Sequence, residues 1–139
     1  MSDVAITAAS VKKGSSANYS SGTAGETITA GMPVYKKASD SKIYKAKANG
    51  TTEEADVIGI ALNGASVDQP ISWNVEDDDF TVGGTVAAGA VYVLSGAAYG
   101  GIAPVADITS GWYGQVLLVG KGSSKASLRI SGNTDAVHA

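Results

Sequence analysis

Hydrophobic and polar positions alternate along much of this chain with a period of two, and almost nowhere with the period of a helix. Val4, Ile6 and Ala8 alternate with Ala5, Thr7 and Ala9, which predicts a half-buried docking strand at the N-terminus. The following stretch, KKGSSANYSSGTAG, has no period and is rich in Ser, Gly and Thr, so residues 1–24 are expected to form a strand and an extended arm. From residue 25 the pattern becomes regular. GETITAGMPVYKK predicts a turn, a short strand around Ile28, an Ala30-Gly31 turn and a strand opening at Val34-Tyr35, with Pro33 acceptable at a strand start. Lys36 to Lys47 alternates weakly around Ser39-Asp40-Ser41. Asn49-Gly50 marks another turn, and Thr51-Thr52-Glu53-Glu54 can cap a single helical turn reaching Ala55. DVIGIALNGA then predicts a buried strand ending in a second Asn-Gly turn, and Pro70 to Val75 a strand with Ile71, Trp73 and Val75 on one face.

The second half repeats the first. Thr27-Ile28-Thr29-Ala30-Gly31 returns as Thr85-Val86-Ala87-Ala88-Gly89, and Val34-Tyr35 returns as Val91-Tyr92 with one residue deleted between. Ile58 to Leu62 finds a counterpart in Tyr113 to Leu117, and Ile71 to Val75 in Leu128 to Ile130. Two such units, about 25–75 and 83–131, are each too small to close a core alone. The expected fold is therefore all-β: a single small, mostly antiparallel barrel over 25–131 with a pseudo-twofold internal repeat, an extended N-terminal arm and a C-terminal tail at 132–139.

Composition supports the strand assignment and limits the core. Of the 139 residues 22 are Ala, and Val plus Ile outnumber Leu by 23 to 5, while 18 Gly punctuate the chain. That balance favours strands and tight turns over helices. Trp73, Trp112 and Tyr113 are the largest apolar groups and serve either as core or as interface anchors.

The net charge of −3 conceals a segregation. Residues 12–47 carry seven Lys against Glu26 and Asp40, residues 48–120 carry nine acids and no base, and Lys121, Lys125 and Arg129 follow. These blocks are either opposite solvated faces of one barrel or surfaces that meet a partner. A basic excess of the kind a nucleic-acid binder needs is absent, and no run of apolar residues predicts a membrane span or a signal peptide.

Candidate chemistry is sparse. With no Cys, thiolate catalysis and thiolate zinc sites have no donors, and a single His, at 138, removes most histidine-based chemistry. Glu76-Asp77-Asp78-Asp79 is the densest acidic cluster, but it lacks a second ligand cluster and is expected to be a solvated turn between Val75 and Phe80. Gly120-Lys121-Gly122-Ser123 departs from the phosphate-binding loop because Gly follows the Lys. Asn18-Tyr19-Ser20 and Asn49-Gly50-Thr51 fit the glycosylation pattern and mark only polar loops. The expectation is a protein that is not an enzyme and takes no cofactor or metal.

The segments SGTAGETITAGMPVYKK, VIGIALNGASVDQPISW, GGTVAAGAVYVLS and GGIAPVADITSGWYGQVLLVG, in this order and spacing, make the chain resemble the capsid decoration, or cement, proteins of tailed bacteriophages. The resemblance covers residues 22–131 and implies a β-tulip-like domain, similar in architecture to the head decoration protein of phage lambda. It implies a structural virion protein, made in the host cytoplasm, that binds the outside of the capsid, commonly as a homotrimer, and fastens neighbouring capsomers. The implied partners are the major capsid protein and further copies of the chain, with no nucleic acid and no membrane. Residues expected at these contacts are Val4, Ile6, Lys12, Lys13, Tyr19, Lys36, Lys37 and Trp112. A carbohydrate- or surface-binding β-module, with Tyr19, Tyr99, Trp112 and Tyr113 stacking on sugar faces, is the alternative.

Overall fold

The computed structural model describes residues 4, 6–14, 17–49, 51, 53–96, 99–108, 111–122 and 124–130. The tail at 132–139, with His138, lies outside the described residues. Among the described residues nine strands form one antiparallel sheet: β1 (Asn18–Thr23), β2 (Pro33–Lys36), β3 (Ile43–Lys45), β4 (Gly59–Ala61), β5 (Pro70–Thr81), β6 (Val91–Leu94), β7 (Ile102–Pro104), β8 (Val116–Gly122) and β9 (Lys125–Arg129). The sheet curls strongly into a half-barrel. Helical structure among the described residues amounts to two short 3₁₀ turns, at Ala8–Ser10 and Val105–Asp107. At Thr51 one turn closes through a reciprocal capping box, in which Thr51 Oγ1 accepts from the Glu54 N–H (3.2 Å) and Glu54 Oε1 accepts from the Thr51 N–H (2.9 Å).

The strand order β3-β2-β4-β5-β9-β8-β6-β7 is a palindrome of two four-strand units. In each unit the first strand sits between the second and third, and the fourth pairs with the third. The turn glycines make the equivalence concrete. Gly31 (φ 93°) donates to the Ala61 carbonyl and Gly89 (φ 78°) to the Gly120 carbonyl, both at 2.8 Å. Neither backbone angle suits a residue with a Cβ. From these anchors the cross-strand pairs follow in step: Val34–Gly59 matches Tyr92–Leu118, and Ile60–Asn74 matches Val119–Ser127. Continued two residues further, Glu76 corresponds to Arg129, and these two are paired with each other. The pseudo-twofold axis passes between them.

This register corrects the alignment expected from the sequence. Val34 corresponds to Tyr92 with no deletion, Gly59–Ala61 corresponds to Leu118–Gly120 rather than to the stretch from Tyr113, and Trp73-Asn74 corresponds to Ala126-Ser127. Similar residues had suggested a shifted match; backbone hydrogen bonds decide the true one.

The two units meet along β5. Asn74 pairs with Ile60 on one side and Tyr19 on the other, and Glu76 pairs with Arg129 on one side and Asn18 on the other. β4 and β9 therefore follow each other along one edge of β5, while β1 covers the opposite edge, extended by a bridge from Lys12 to Thr81. The segment expected to be a free arm is thus a strand of the sheet. Its residues are mostly exposed, so they show no alternation; pairing with β5 makes the strand. The described residues of the expected docking strand, Val4 and 6–8, form no strand either. Val4 instead donates its N–H to the Ile102 carbonyl (2.8 Å), and Ile6 packs over Gly31 and Gly83.

Two apolar clusters hold the fold. The larger gathers Phe80, Leu94, Ile102, Leu117, Leu118 and Leu128 with Ile60 and Tyr35, and takes Val11 together with the flanking Val4 and Ile6. The smaller packs Ile28, Val34, Ile43, Ile71 and Trp73. Neighbouring residues of β2 and β4 divide between the clusters, Val34 from Tyr35 and Ile60 from Ala61, so the strands of the first unit are covered on both faces. No helix among the described residues is long and apolar enough to cross a membrane.

Candidate functional site

The residues expected at partner contacts do not converge. Val4 and Ile6 are half-buried against the molecule's own core, and Trp112 is buried in it, its indole lying on Gly96, where a Cβ would strike the ring. Lys13 stands over the Tyr19 ring (5.2 Å from Nζ to the centroid), and both line a shallow pocket with Val11, Leu62, Asn63 and Ser72. Lys12 bridges to Thr81 through its backbone, and Lys36 ends β2, exposed, while Lys37 leans over the Tyr44 ring (5.0 Å). Tyr19 and Tyr99 are both exposed but belong to different pockets, and Trp112 is shielded, so the expected stacking platform of those residues with Tyr113 is not assembled.

Part of each charge block is paired within the chain. Arg129 reaches Glu76 (3.4 Å) and Asp78 (3.1 Å), Lys125 reaches Asp79 (3.7 Å), and Lys121 donates to the Asp78 carbonyl. Lys42 bonds Asp68 (2.5 Å) and Lys45 lies 3.9 Å from Glu26. All of these pairs are partly or well exposed, so solvent screens them and they add little to stability.

Glu76 to Asp79 is not a turn but the centre of β5. Cross-strand partners on β9 hold it at both ends, and a register shift between Asp77 and Phe80 interrupts the alternation, so that Asp78 and Asp79 are both exposed while Asp77 is buried. The Asp77 carboxylate accepts the N–H groups of Gly14 (2.6 Å) and Asp79 (3.0 Å) and the amide of Asn74 (2.9 Å). Burial alone would raise its pKa, but the three hydrogen bonds outweigh it and hold the carboxyl below its ordinary value. Asp77 is thus a structural anchor. Among the described residues no group of three His, Cys, Asp or Glu side chains is placed to hold a metal ion.

Two surface features remain. The first is a row of valines on the second unit. Val91 pairs with Val119 across β6 and β8, and Val105 follows β7 next to the Tyr92–Pro104 pair. Val119 is 39% exposed and Val105 46%, with Val116 at 36% further along β8.

The second is a pocket of about 240 Å³ between the two units, lined by Tyr35, Tyr44, Tyr99, Glu26, Glu54, Lys37 and Lys45. Tyr35 on β2 and Tyr44 on β3 are cross-strand partners, with ring centroids 6.0 Å apart. Tyr99 comes from the β6–β7 connection of the other unit. Two of the phenols are fixed by carboxylates: Tyr44 donates to Asp40 (2.6 Å) and Tyr99 to Glu54 (3.1 Å), and these bonds raise the pKa of both. Glu26 accepts the Lys45 N–H (2.9 Å). Tyr35, only 5% exposed, makes no hydrogen bond through its hydroxyl among the described residues. Burial, then the charges of Glu54, Glu53 and Glu26, push its pKa up to about 12.

The Tyr35 shift predicts alkaline behaviour. A phenol whose pKa is higher folded than unfolded contributes stability that is complete below the unfolded value of 10.0 and is lost as pH rises toward 12. In a spectrophotometric titration Tyr35 is expected to ionise above the ordinary phenol value of 10.0, with stability falling from there toward 12 in the wild type. Tyr35→Phe should flatten that fall; an unchanged alkaline profile would contradict the burial of this phenol. Sequence reasoning missed the pocket because Tyr35, Tyr44 and Tyr99 are joined only by the fold; the sole sequence signal is the Lys/Tyr spacing of VYKK and IYKAK.

No protein-family model matches the chain, and no curated protein matches its sequence.

Proposed function

We propose that this protein is a structural virion protein that binds the outside of a tailed-phage capsid, as a homotrimer, and fastens adjacent capsomers without catalysing a reaction. The observation that carries the reading is the pair of exposed valines Val105 and Val119, beside half-buried Val91, apolar surface that the rest of the described chain leaves partly uncovered. The segments behind the resemblance support it. TITAGMPVYKK forms the Gly31 turn and β2, and VIGIALNGASVDQPISW forms β4 and opens β5. GGTVAAGAVYVLS forms the Gly89 turn and β6, and the GGIAPVADITSGWYGQVLLVG segment contains β7 and β8. The resemblance thus follows the repeated unit rather than loops. A cement protein needs only to bind the assembled shell more tightly than separated capsomers, and repetition over many lattice sites makes modest contacts sufficient.

The test is sedimentation of purified protein with mature heads that lack a decoration protein. The wild type is expected to pellet with the heads. Val119→Asp, which places a charge in the apolar row, should bind about tenfold more weakly, about 1.4 kcal/mol, while folding normally because the site is half-exposed. Wild-type protein that stays in the supernatant at every concentration would refute the reading.

A further inference from the structure

We propose that the tyrosine pocket between the two units binds a neutral pyranose unit of a glycan. This goes beyond the capsid reading and does not depend on it. The pocket's size, about 240 Å³, suits one sugar ring rather than a peptide segment. Its walls supply both things a sugar requires: aromatic surface for the C–H face and a mixed set of donors and acceptors for the hydroxyls.

The lining charges balance, with Glu26 and Glu54 against Lys37 and Lys45, so neither an anion nor a cation gains a net attraction. The groups are also preorganised. Glu54 is held by the Thr51 N–H (2.9 Å) and by Tyr99, and Glu26 by the Lys45 backbone, leaving further lone pairs on each carboxylate for ligand hydroxyls. Lys37 stands over Tyr44 and Lys47 over Tyr99 (4.9 Å), which orients both rings.

The observation that points to a ligand is Tyr35. The residue is 5% exposed and lines the cavity, and its hydroxyl, which has no hydrogen-bond partner among the described residues and is not among the buried unpartnered atoms, is open to a ligand there. A phenol kept protonated through the neutral range offers both a donor and an acceptor, and a sugar hydroxyl can take either.

The test is an NMR titration of the full chain with methyl glucoside, methyl galactoside and N-acetylglucosamine, following the amides of residues 35, 44, 45 and 99, with glucuronate and glucosamine as charged comparisons. At least one neutral sugar is expected to shift these amides at millimolar concentration, and the charged sugars to do so more weakly. Tyr35→Phe should weaken binding roughly fivefold by removing one neutral hydrogen bond, and Tyr99→Ala roughly tenfold by removing an exposed wall. Tyr99 is 46% exposed, so its variant keeps the fold and decides the question even if Tyr35→Phe is destabilised. No shift with any neutral sugar, or shifts that both variants leave unchanged, would overturn the proposal. Head binding is a separate readout, so failure here leaves the capsid reading standing and the reverse also holds.

Discussion

Deletion of residues 1–22 is expected to unfold the protein rather than to release a dispensable arm. The deleted segment contains nearly all of β1, which occupies one edge of β5 from Pro70 to Glu76, and the Lys12–Thr81 bridge beyond it. It carries Val11 out of the larger core cluster and strips Val4 and Ile6 from its border. It also removes the Gly14 N–H from the buried Asp77 carboxylate and the Gly22 backbone from the face of Trp73. Buried Val and Ile side chains contribute about 1.5 to 3 kcal/mol each and a hydrogen bond to a charged group about 1.5 to 3 kcal/mol. The summed loss is about 5 kcal/mol or more, comparable to the whole stability of a domain of this size. Urea titration followed by tryptophan fluorescence checks it: the truncated chain should lack a cooperative transition and expose Trp73 in buffer. A truncated protein with the wild-type midpoint would show that the first strand is peripheral.

Asp77→Ala is expected to cost about 3 to 5 kcal/mol, the range for removing one partner from a buried charged arrangement. The loss would not be hydrophobic. Three donors, from Gly14, Asn74 and Asp79, would be left facing an apolar methyl inside the sheet. The pH dependence identifies the cause. The folded carboxyl titrates below the unfolded value of 3.8, so its contribution is present above that pH and is lost as pH falls through the lower folded value. Urea midpoints of wild type and variant should therefore differ most near neutrality and converge in acid below pH 3.8. A gap that stays constant across this window would mean that Asp77 acts through shape alone.

The legible parts of this fold were those where side chains face a core. Ile71 and Trp73 alternate because β5 buries one face there, and the Ala30-Gly31 and Ala88-Gly89 turns are repeated because both backbones need positive φ. The repeated order of elements was therefore visible, but its register was not, since Gly and Val recur too often for residue likeness to choose between neighbouring alignments. β1 was illegible for a different reason: Asn18 to Ser21 owes its conformation to hydrogen bonds with β5, which leave no mark on an exposed sequence. The acids at 76–79 misled because Asp is a poor strand former; partners far along the chain, at Gly14, Lys125 and Arg129, override that preference. The tyrosine pocket likewise depends on the Tyr99 connection reaching across to β2 and β3.

Electron cryomicroscopy of mature heads incubated with the purified protein would show whether it attaches to the outer face of a phage shell, as proposed. Added density is expected at regular positions on the outer surface, grouped as trimers where capsomers meet, with the valines of β6 and β8 facing a neighbouring copy or the shell. Heads without added density at saturating protein, or density only inside the shell, would contradict it.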